Sequence, residues 1–320
     1  MTDALHTVVV ARKAIEAHNM ASFELVPADD TPLPGFTPGA HIDVTLPNGL
    51  VRQYSLWNSS AERNRYCIGV WKDANSRGGS KTLHVDIQEG DKLQVGRPRN
   101  RLKIPKNTAR ALLLARGIGV TPMLSIADAL KAKNIPFELH YVFALMSPDS
   151  FRATIEASSF AGDTSFYKES SEDNQLLKAA EVLADRPDDT QLFICGVDWW
   201  QDPIIALAQQ KGFSDDRIHV ERFTAKAAAA LLDKVFEVKI KSTGATFKIP
   251  GDKTVTAFLE ENGVKIATSC EQGMCGTCKT RVLEGEVEHR DKRLSAEQRA
   301  QGYFLPCVSR GKGDSLVLDL

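Results

Sequence analysis

The chain has 320 residues, with 40 Lys plus Arg against 41 Asp plus Glu and a formal net charge of −1. That balance argues against nucleic acid as the main partner, because phosphate recognition wants a basic excess. With 42% hydrophobic and 25% charged residues, a wholly disordered chain is excluded, and the length predicts two or three domains. No stretch approaches the ~18–20 apolar residues that span a bilayer. The N-terminal Met1-Thr-Asp-Ala-Leu-His6 lacks the basic-then-apolar pattern of a signal peptide. The expectation is a cytoplasmic protein with no membrane or nucleic-acid partner, in which structural disulfides have no place.

The first hundred residues read as all-β, with strands over 6–15, 22–27, 41–46, 52–57, 66–72 and 92–96. Alternation is plain in Ile42-Asp43-Val44-Thr45-Leu46, and turns fall at Pro47-Asn48-Gly49, Gly78-Gly79 and Glu89-Gly90-Asp91. Short strands at this spacing predict a small antiparallel barrel. The pattern then changes. A continuous apolar run, 111–115, ends in Gly117-Ile118-Gly119 and is followed by a helix over 122–133. A strand over 137–143, a helix over 174–183, a strand over 191–195, a helix over 200–211 and a strand over 219–223 follow. Alternating strands and helices predict a parallel sheet with crossover helices. An Ala-rich stretch, 225–234, reads as a linker. Beyond it come strands over 236–241 and 246–249, a helix over 255–262, a Cys-rich loop, and strands over 279–283 and 316–318.

Four of the six cysteines lie near the C-terminus, as Cys270, Cys275, Cys278 and Cys307. Their C-x4-C-x2-C-x28-C spacing is that of a plant-type [2Fe–2S] site. Gly273, Gly276 and Thr277 between them are small, as a chain wrapping closely round bridging sulfides requires. A structural zinc site is the alternative for four thiolates, but it usually pairs its ligands as C-x2-C twice. Cys67 stands alone in a strand and reads as a small buried hydrophobe. Cys195 ends a strand and opens Cys195-Gly196, where it could face a ligand at the carboxyl edge of the sheet.

Two further segments carry phosphate chemistry. Ala115-Arg-Gly-Ile-Gly-Val-Thr-Pro122 joins a buried strand to a helix; Gly117 and Gly119 let backbone approach a phosphate at the helix N-terminus. A plain βα turn is the alternative reading. Arg77-Gly-Gly-Ser80 offers two glycines, a hydroxyl and a guanidinium, which reads as an anion nest or as a simple turn. In Arg52-Gln-Tyr-Ser55, alternation puts Arg52, Tyr54 and Leu56 on one face of a barrel strand and Ser55 on the other.

Together these motifs resemble the phthalate dioxygenase reductase family over almost the whole chain. The resemblance rests on Arg52-Gln-Tyr-Ser55, Asn75-Ser-Arg-Gly-Gly-Ser80, Gly117-Ile-Gly-Val-Thr-Pro122, Cys195-Gly196, the four cysteines, His289-Arg-Asp291, Cys307-Val-Ser-Arg310 and Leu316-Val-Leu-Asp-Leu320. It implies a multidomain fold: an antiparallel FMN-binding β-barrel over 1–102, an α/β parallel-sheet NADH domain of ferredoxin–NADP reductase type over 103–225, a linker over 226–235, and a β-grasp ferredoxin domain over 236–320. By that resemblance Arg52 and Gly78-Gly79-Ser80 hold the FMN phosphate. Tyr54 lies against the isoalloxazine, the Ser55 hydroxyl meets N5, and Phe223 stacks on the ring. Gly117 and Gly119 cradle the dinucleotide, while Thr121 and Cys195 border the nicotinamide. Ser55, Thr121 and Cys195 are thus the residues nearest the chemistry. NADH gives a hydride to FMN, and single electrons leave through the [2Fe–2S] cluster. The acceptor implied is the Rieske centre of a terminal non-haem iron oxygenase, in aromatic degradation, served by a monomeric reductase. A stand-alone reductase for diffusible acceptors is the alternative, and a zinc-stapled binding scaffold is a third reading.

The chain departs from the family pattern in places. Arg116 stands where a glycine is usual; it could clamp the pyrophosphate, crowd it, or favour a 2′-phosphate and hence NADPH. Ala144-Leu145 stand where an Arg is expected, Val197 where Pro is usual, and Trp71 where a basic residue is common. His289-Arg290-Asp291 and Arg293 read either as a docking patch for the acceptor or as a solvated charged loop.

Overall fold

The computed structural model describes residues 5–29, 31–74, 78–143, 150–169, 172–223, 233–268, 271, 273, 276–291 and 293–320, without the side chains of 172–177. The chain divides into two compact units, Met1–Phe223 and Thr224–Leu320. Most of the expected linker lies outside the described residues, as do Ala144-Leu145 and Asn75-Ser76-Arg77.

The first unit opens with β1 (His6–Ala17), β2 (Met20–Pro27), β3 (His41–Thr45), β4 (Val51–Ser55), β5 (Tyr66–Trp71), α1 (Gly79–Val85) and β6 (Lys92–Val95). The strands pair antiparallel in the order β4-β3-β6-β1-β2-β5. A bridge between Leu56 and Ile68, and a bond from Trp57 N to Cys67 O of 3.0 Å, join the two ends of the sheet. The sheet is therefore closed, which removes its edges. Alternate residues such as Val8, Val10, Phe23, Leu25, Ile42, Val44 and Ile68 fill the interior. The sequence gives a turn at Gly78-Gly79, whereas the structure starts α1 there. Seven residues are too few for a helical period to show, and only tertiary burial of Thr82 and Leu83 fixes the helix.

The same unit continues with β7 (Arg110–Arg116), α2 (Val120–Ala132), β8 (Phe137–Phe143), α3 (Arg152–Glu156), β9 (Thr164–Lys168), α4 (Glu172–Leu183), β10 (Thr190–Gly196), α5 (Asp198–Gln210) and β11 (Ile218–Arg222). All five strands are parallel, in the order β11-β10-β7-β8-β9. Leu113 and Ala115 face Met123 and Ile126 of α2, while Leu112 and Leu114 face Ile204 and Ala208 of α5. Burial on both faces explains the unbroken apolar run of β7. β9 is an edge strand with no fully buried residue, so it carried no apolar signal in the sequence. The chain runs outward from β7 to β9 and then returns to place β10 on the other side of β7. That reversal is the topological switch point at which open α/β sheets bind ligands, at the carboxyl ends of the strands.

The second unit contains β12 (Phe236–Ile240), β13 (Thr246–Ile249), α6 (Val255–Glu261), β14 (Thr280–Glu284), β15 (Val287–Glu288), α7 (Ala296–Ala300), β16 (Tyr303–Phe304), β17 (Arg310–Gly311) and β18 (Ser315–Leu318). Its main sheet has the order β13-β12-β18-β14-β16, with β12 and β18 parallel and the other pairs antiparallel. Val255 and Leu259 of α6 pack on Phe236, Val238, Leu316 and Leu318, giving a β-grasp. Thr254 caps α6 by accepting from Ala257 N at 3.2 Å, and Ser295 with Gln298 forms a capping box on α7. Among the described residues, no helix is long and apolar enough to cross a membrane.

Candidate functional site

The switch point is packed so tightly that glycine is required there. A β-carbon on Gly119 would lie 2.5 Å from the Cys195 carbonyl carbon and closer still to its oxygen. One on Gly196 would lie 2.8 Å from the Trp200 ring and 3.1 Å from Arg116 Cβ. Gly117 has φ +55°, a left-handed backbone that turns β7 into α2. The turn between β7 and α2 thus rests directly on the end of β10. Thr121 and Cys195, expected near a ligand, both sit at this edge but are sealed. Thr121 is 1% exposed and its hydroxyl donates to Ile118 O at 2.9 Å. The Cys195 thiol is fully buried in the α2-facing core, and burial pushes its pKa well up, so it is a neutral thiol.

The barrel wall meets this edge through another glycine. A β-carbon on Gly69 of β5 would lie 2.7 Å from Thr121 Cγ2 and 2.8 Å from Phe151 Cζ. Trp57 stacks edge-on against Phe151 at 5.8 Å, with its indole nitrogen buried and without a hydrogen bond. Phe223, one residue past β11, packs on the same core. On the neighbouring barrel strand, Arg52 and Tyr54 are paired in register with the core residues Val44 and Ile42. Tyr54 is packed against the barrel core, and burial pushes its phenol pKa up. Ser55 points to the other side, is buried, and is paired in register with His41. The Arg52 side chain lies across the start of α1: a β-carbon on Gly79 would be 2.9 Å from its Cγ and Nε. Gly78, at φ +104°, turns the chain into the helix. The Ser80 hydroxyl accepts from Asp73 N at 3.1 Å. Arg52, Gly78, Gly79 and Ser80 are therefore brought together, and a guanidinium beside backbone N–H groups suits a phosphate.

In the second unit, Cys278 and Cys307 are each 3% exposed and share a small core with Leu294 and Leu305. Cys270 and Cys275 lie outside the described residues. Gly273 and Gly276 have φ +68° and +82°, and a β-carbon on Gly273 would lie 2.6 Å from Val308 Cγ2. A buried thiol beside a glycine-bearing loop, meeting a second buried thiol from a distant segment, fits a thiolate-ligated centre. Of the charged residues 289–293 that read as a docking patch or a solvated loop, Asp291 is withdrawn from the surface. Its side chain is 0% exposed and accepts from Leu294 N at 2.9 Å and Arg293 N at 3.2 Å. Arg290 likewise turns onto Asp233, at 2.7 and 2.9 Å, and onto Glu288. Asp291 thus serves the fold of the unit and Arg290 is tied to carboxylates within it, while Arg293 stays exposed.

Comparison with known proteins agrees with this geometry. Residues 238–312 match the family model of the 2Fe-2S iron-sulfur cluster binding domain. The chain is 41% identical to a vanillate O-demethylase oxidoreductase of Pseudomonas sp. (strain HR199 / DSM 7063), covering 98% of this chain and 99% of that one. It is 36% identical to a tetrachlorobenzoquinone reductase of Sphingobium chlorophenolicum, over 100% of both chains. Among solved structures it superimposes on phthalate dioxygenase reductase with a TM-score of 0.77 and 33% identity, covering 99% of this chain and 98% of that one. The chain belongs to the phthalate dioxygenase reductase family. It is an oxidoreductase with a flavin barrel, a nucleotide sheet and a [2Fe–2S] ferredoxin domain.

Sequence reasoning missed one group in this reductase. His41, beside Ser55 in the barrel, is buried with its Nε2 unpaired, and burial together with Arg101 and Arg99 holds its pKa down to about 4. Glu221, beside Cys195 in register, is pushed up to about 7 by burial, against the pull of Arg101. Arg101 thus lies within electrostatic reach of both. Neither residue had a motif; only folding brings 41, 101 and 221 together.

Proposed function

We propose that this chain is the reductase component of a Rieske-type oxygenase system, a monomer in the cytoplasm that carries electrons from NADH to the terminal oxygenase. Bound there, FMN would supply a two-electron acceptor for the hydride of NADH, and the [2Fe–2S] cluster a one-electron carrier. Plant-type clusters sit near about −400 mV and Rieske centres well above, so the onward transfer is downhill.

The residues have distinct tasks in this reading. Arg52, Gly78, Gly79 and Ser80 hold the flavin phosphate. Tyr54 and Phe223 flank the ring, and the Ser55 hydroxyl lies toward its reacting edge. Gly117 and Gly119 admit the pyrophosphate to the N-terminus of α2. Thr121 and Cys195 form the floor under the nicotinamide: both are buried, so they shape the surface and exclude water rather than exchange protons. Cys270, Cys275, Cys278 and Cys307 hold the iron. A cytoplasmic setting suits the two buried thiols Cys67 and Cys195, whose pKa values burial raises.

The observation that carries this reading is the seam at Gly69. There the wall of the barrel touches Thr121 at the switch point of the nucleotide sheet. A hydride donor held at the sheet and an acceptor held on the barrel are thereby brought to one place. The test is an anaerobic absorption titration of the purified protein with NADH. Bleaching of both the flavin and the iron–sulfur bands is expected. Flavin bleaching with unchanged long-wavelength bands would overturn the electron path. The likeness to a quinone reductase favours a second reading, reduction of a diffusible acceptor. Turnover with a benzoquinone faster than with any partner oxygenase would select it.

A further inference from the structure

We propose that Lys279, Arg281 and Arg293, with the Tyr303 ring, form the surface at which electrons leave this protein, and that this surface receives an acceptor protein through carboxylates. This rests on the reading of the four cysteines as the centre through which electrons leave. Cys278 is buried, yet its neighbours on either side, Thr277 and Lys279, are exposed, so the ligand segment comes to the surface here. Arg293 lies across the turn before Cys278: a β-carbon on Gly276 would stand 3.6 Å from Arg293 Cγ and 3.8 Å from its Nε. Lys279 is tied to the same turn, its N–H donating to Gly276 O at 3.1 Å. Its ammonium lies 4.7 Å from the centre of the Tyr303 ring. Tyr303 in turn packs on the core of Cys278, Leu294, Leu305 and Cys307. Arg281 stands opposite Tyr303 in register, two residues beyond Lys279 and exposed like it, with the buried Thr280 between them.

Among the described residues, none of these three cations forms an ion pair. Lys253, Arg290 and Lys312 of the same unit each hold a carboxylate, on Glu261, Asp233 and Glu286. Asp319 joins Arg281 through the backbone, N–H to carbonyl at 3.0 Å, and leaves its guanidinium unpaired. The cations are also held in place. The buried Asp291 accepts from Arg293 N at 3.2 Å, and Lys279 rests on an aromatic face. A cation fixed before docking loses little freedom on docking. Arg and Tyr are the side chains that most often carry binding energy at protein interfaces. Three positive charges beside the ligand loop disfavour a basic partner and steer an acidic one. The step served is the passage of one electron. The iron–sulfur centre is oxidised, the metal of the acceptor is reduced, and no proton or group is transferred.

The test uses two haem proteins of opposite surface charge as probes, acidic cytochrome b5 and basic cytochrome c. They are given to the holo-protein as wild type, Lys279→Glu, Arg293→Glu and the double variant. Bleaching of the flavin and iron–sulfur bands by NADH should be the same in all four. In the wild type, kcat/KM for cytochrome b5 should fall about tenfold as salt rises from about 0.01 M to about 0.15 M, where the Debye length shrinks from ~30 Å to ~8 Å. The double variant should be about tenfold slower with cytochrome b5 at low salt, lose most of that salt dependence, and gain rate with cytochrome c. Lys279→Gln with Arg293→Gln, which removes charge without reversing it, should fall between. Contact is read without turnover. A carbodiimide, which joins lysine amines to carboxylates, should link wild type to cytochrome b5 at Lys279 in mass spectrometry, and Arg293→Glu should lower the yield. Equal salt dependence in wild type and double variant, cross-links confined to other lysines, or no reduction of cytochrome b5 by a wild type whose bands bleach overturns the proposal and leaves the internal electron path in place. Failure of NADH to bleach the iron–sulfur bands of the wild type overturns that path, and the proposal falls with it.

Discussion

The turn at Gly119 lies so close to the end of β10 that a β-carbon there would stand 2.5 Å from the carbonyl carbon of Cys195. The obstacle is backbone, which cannot swing aside like a flexible side chain. Gly119→Ala must therefore push the β7–α2 turn away from β10. Overpacking of this kind costs about 1–3 kcal/mol, and the shift moves the N-terminus of α2 that receives the pyrophosphate. The expected result is a lower melting temperature and a KM for NADH raised at least tenfold, read by thermal denaturation and steady-state kinetics. An unchanged KM would show that the turn does not contact the dinucleotide.

The seam at Gly69 predicts a coupled pair. Gly69→Ala places a methyl group 2.7 Å from Thr121 Cγ2. Thr121→Ser removes that methyl and keeps the hydroxyl that donates to Ile118 O. Gly69→Ala alone should slow flavin reduction by NADH in stopped flow. Adding Thr121→Ser should recover part of the loss, with an interaction of about 0.5–3 kcal/mol in the double-mutant cycle. Recovery is partial because Phe151 Cζ also lies 2.8 Å from the new methyl. Strict additivity would mean that the two residues do not share the seam.

His41 and Glu221 predict opposite pH dependences. Glu221 is held up at about 7 from 4.5, so the folded chain keeps a proton that the unfolded chain releases across that window, and its contribution to stability falls as pH rises. His41 is held down at about 4 from 6.5, so the unfolded chain gains a proton first as pH drops, and its contribution falls toward acid. Each effect is worth up to about 3 kcal/mol, and in the wild type they oppose one another. Glu221→Gln should gain stability relative to wild type as pH rises from 4.5 to 7. His41→Asn should gain relative to wild type as pH falls from 6.5 to 4. Melting temperatures across pH 4–8 check both, and parallel curves for the three proteins would refute the burial of these charges.

Asp291 predicts a structural dependence of the iron site. Its fully buried carboxylate holds the N–H groups of Arg293 and Leu294 and stands beside Arg299, 3.4 Å away. Removing it leaves the buried Leu294 N–H unpaired, at about 1–3 kcal/mol. The segment it organises lies against Gly273 of the Cys-rich loop. Asp291→Ala should purify with a several-fold lower ratio of iron to flavin while NADH still bleaches the flavin. A full iron complement would show that the loop does not depend on this carboxylate.

Much of this protein was legible in its sequence because the signals are local. The period-two alternation of 42–46 marked barrel strands, the unbroken run of 111–115 marked a strand covered on both faces, and the spacing of the four cysteines named the metal centre before any fold was known. Most missed elements are those whose stability is not local: α1 and α3, too short to show a period; β9, an edge strand with no buried residue; and β15–β17, of two residues each; α7 was missed although Ser295 and Gln298 give it a capping box. Side-chain commitments were the least legible. Arg116 was open to clamping or crowding a pyrophosphate or to favouring a 2′-phosphate, and its contact with Glu169, 53 positions away, had no signal in the sequence. Asp291 and Arg290 read as surface charges until the fold turned them inward. His41 and Glu221 have no motif, and their protonation is set by burial alone. Composition and spacing determine which chemistry a chain can host, because they are properties of neighbouring residues. Which charges remain available to a ligand is decided by partners distant in sequence, and only the tertiary structure supplies those.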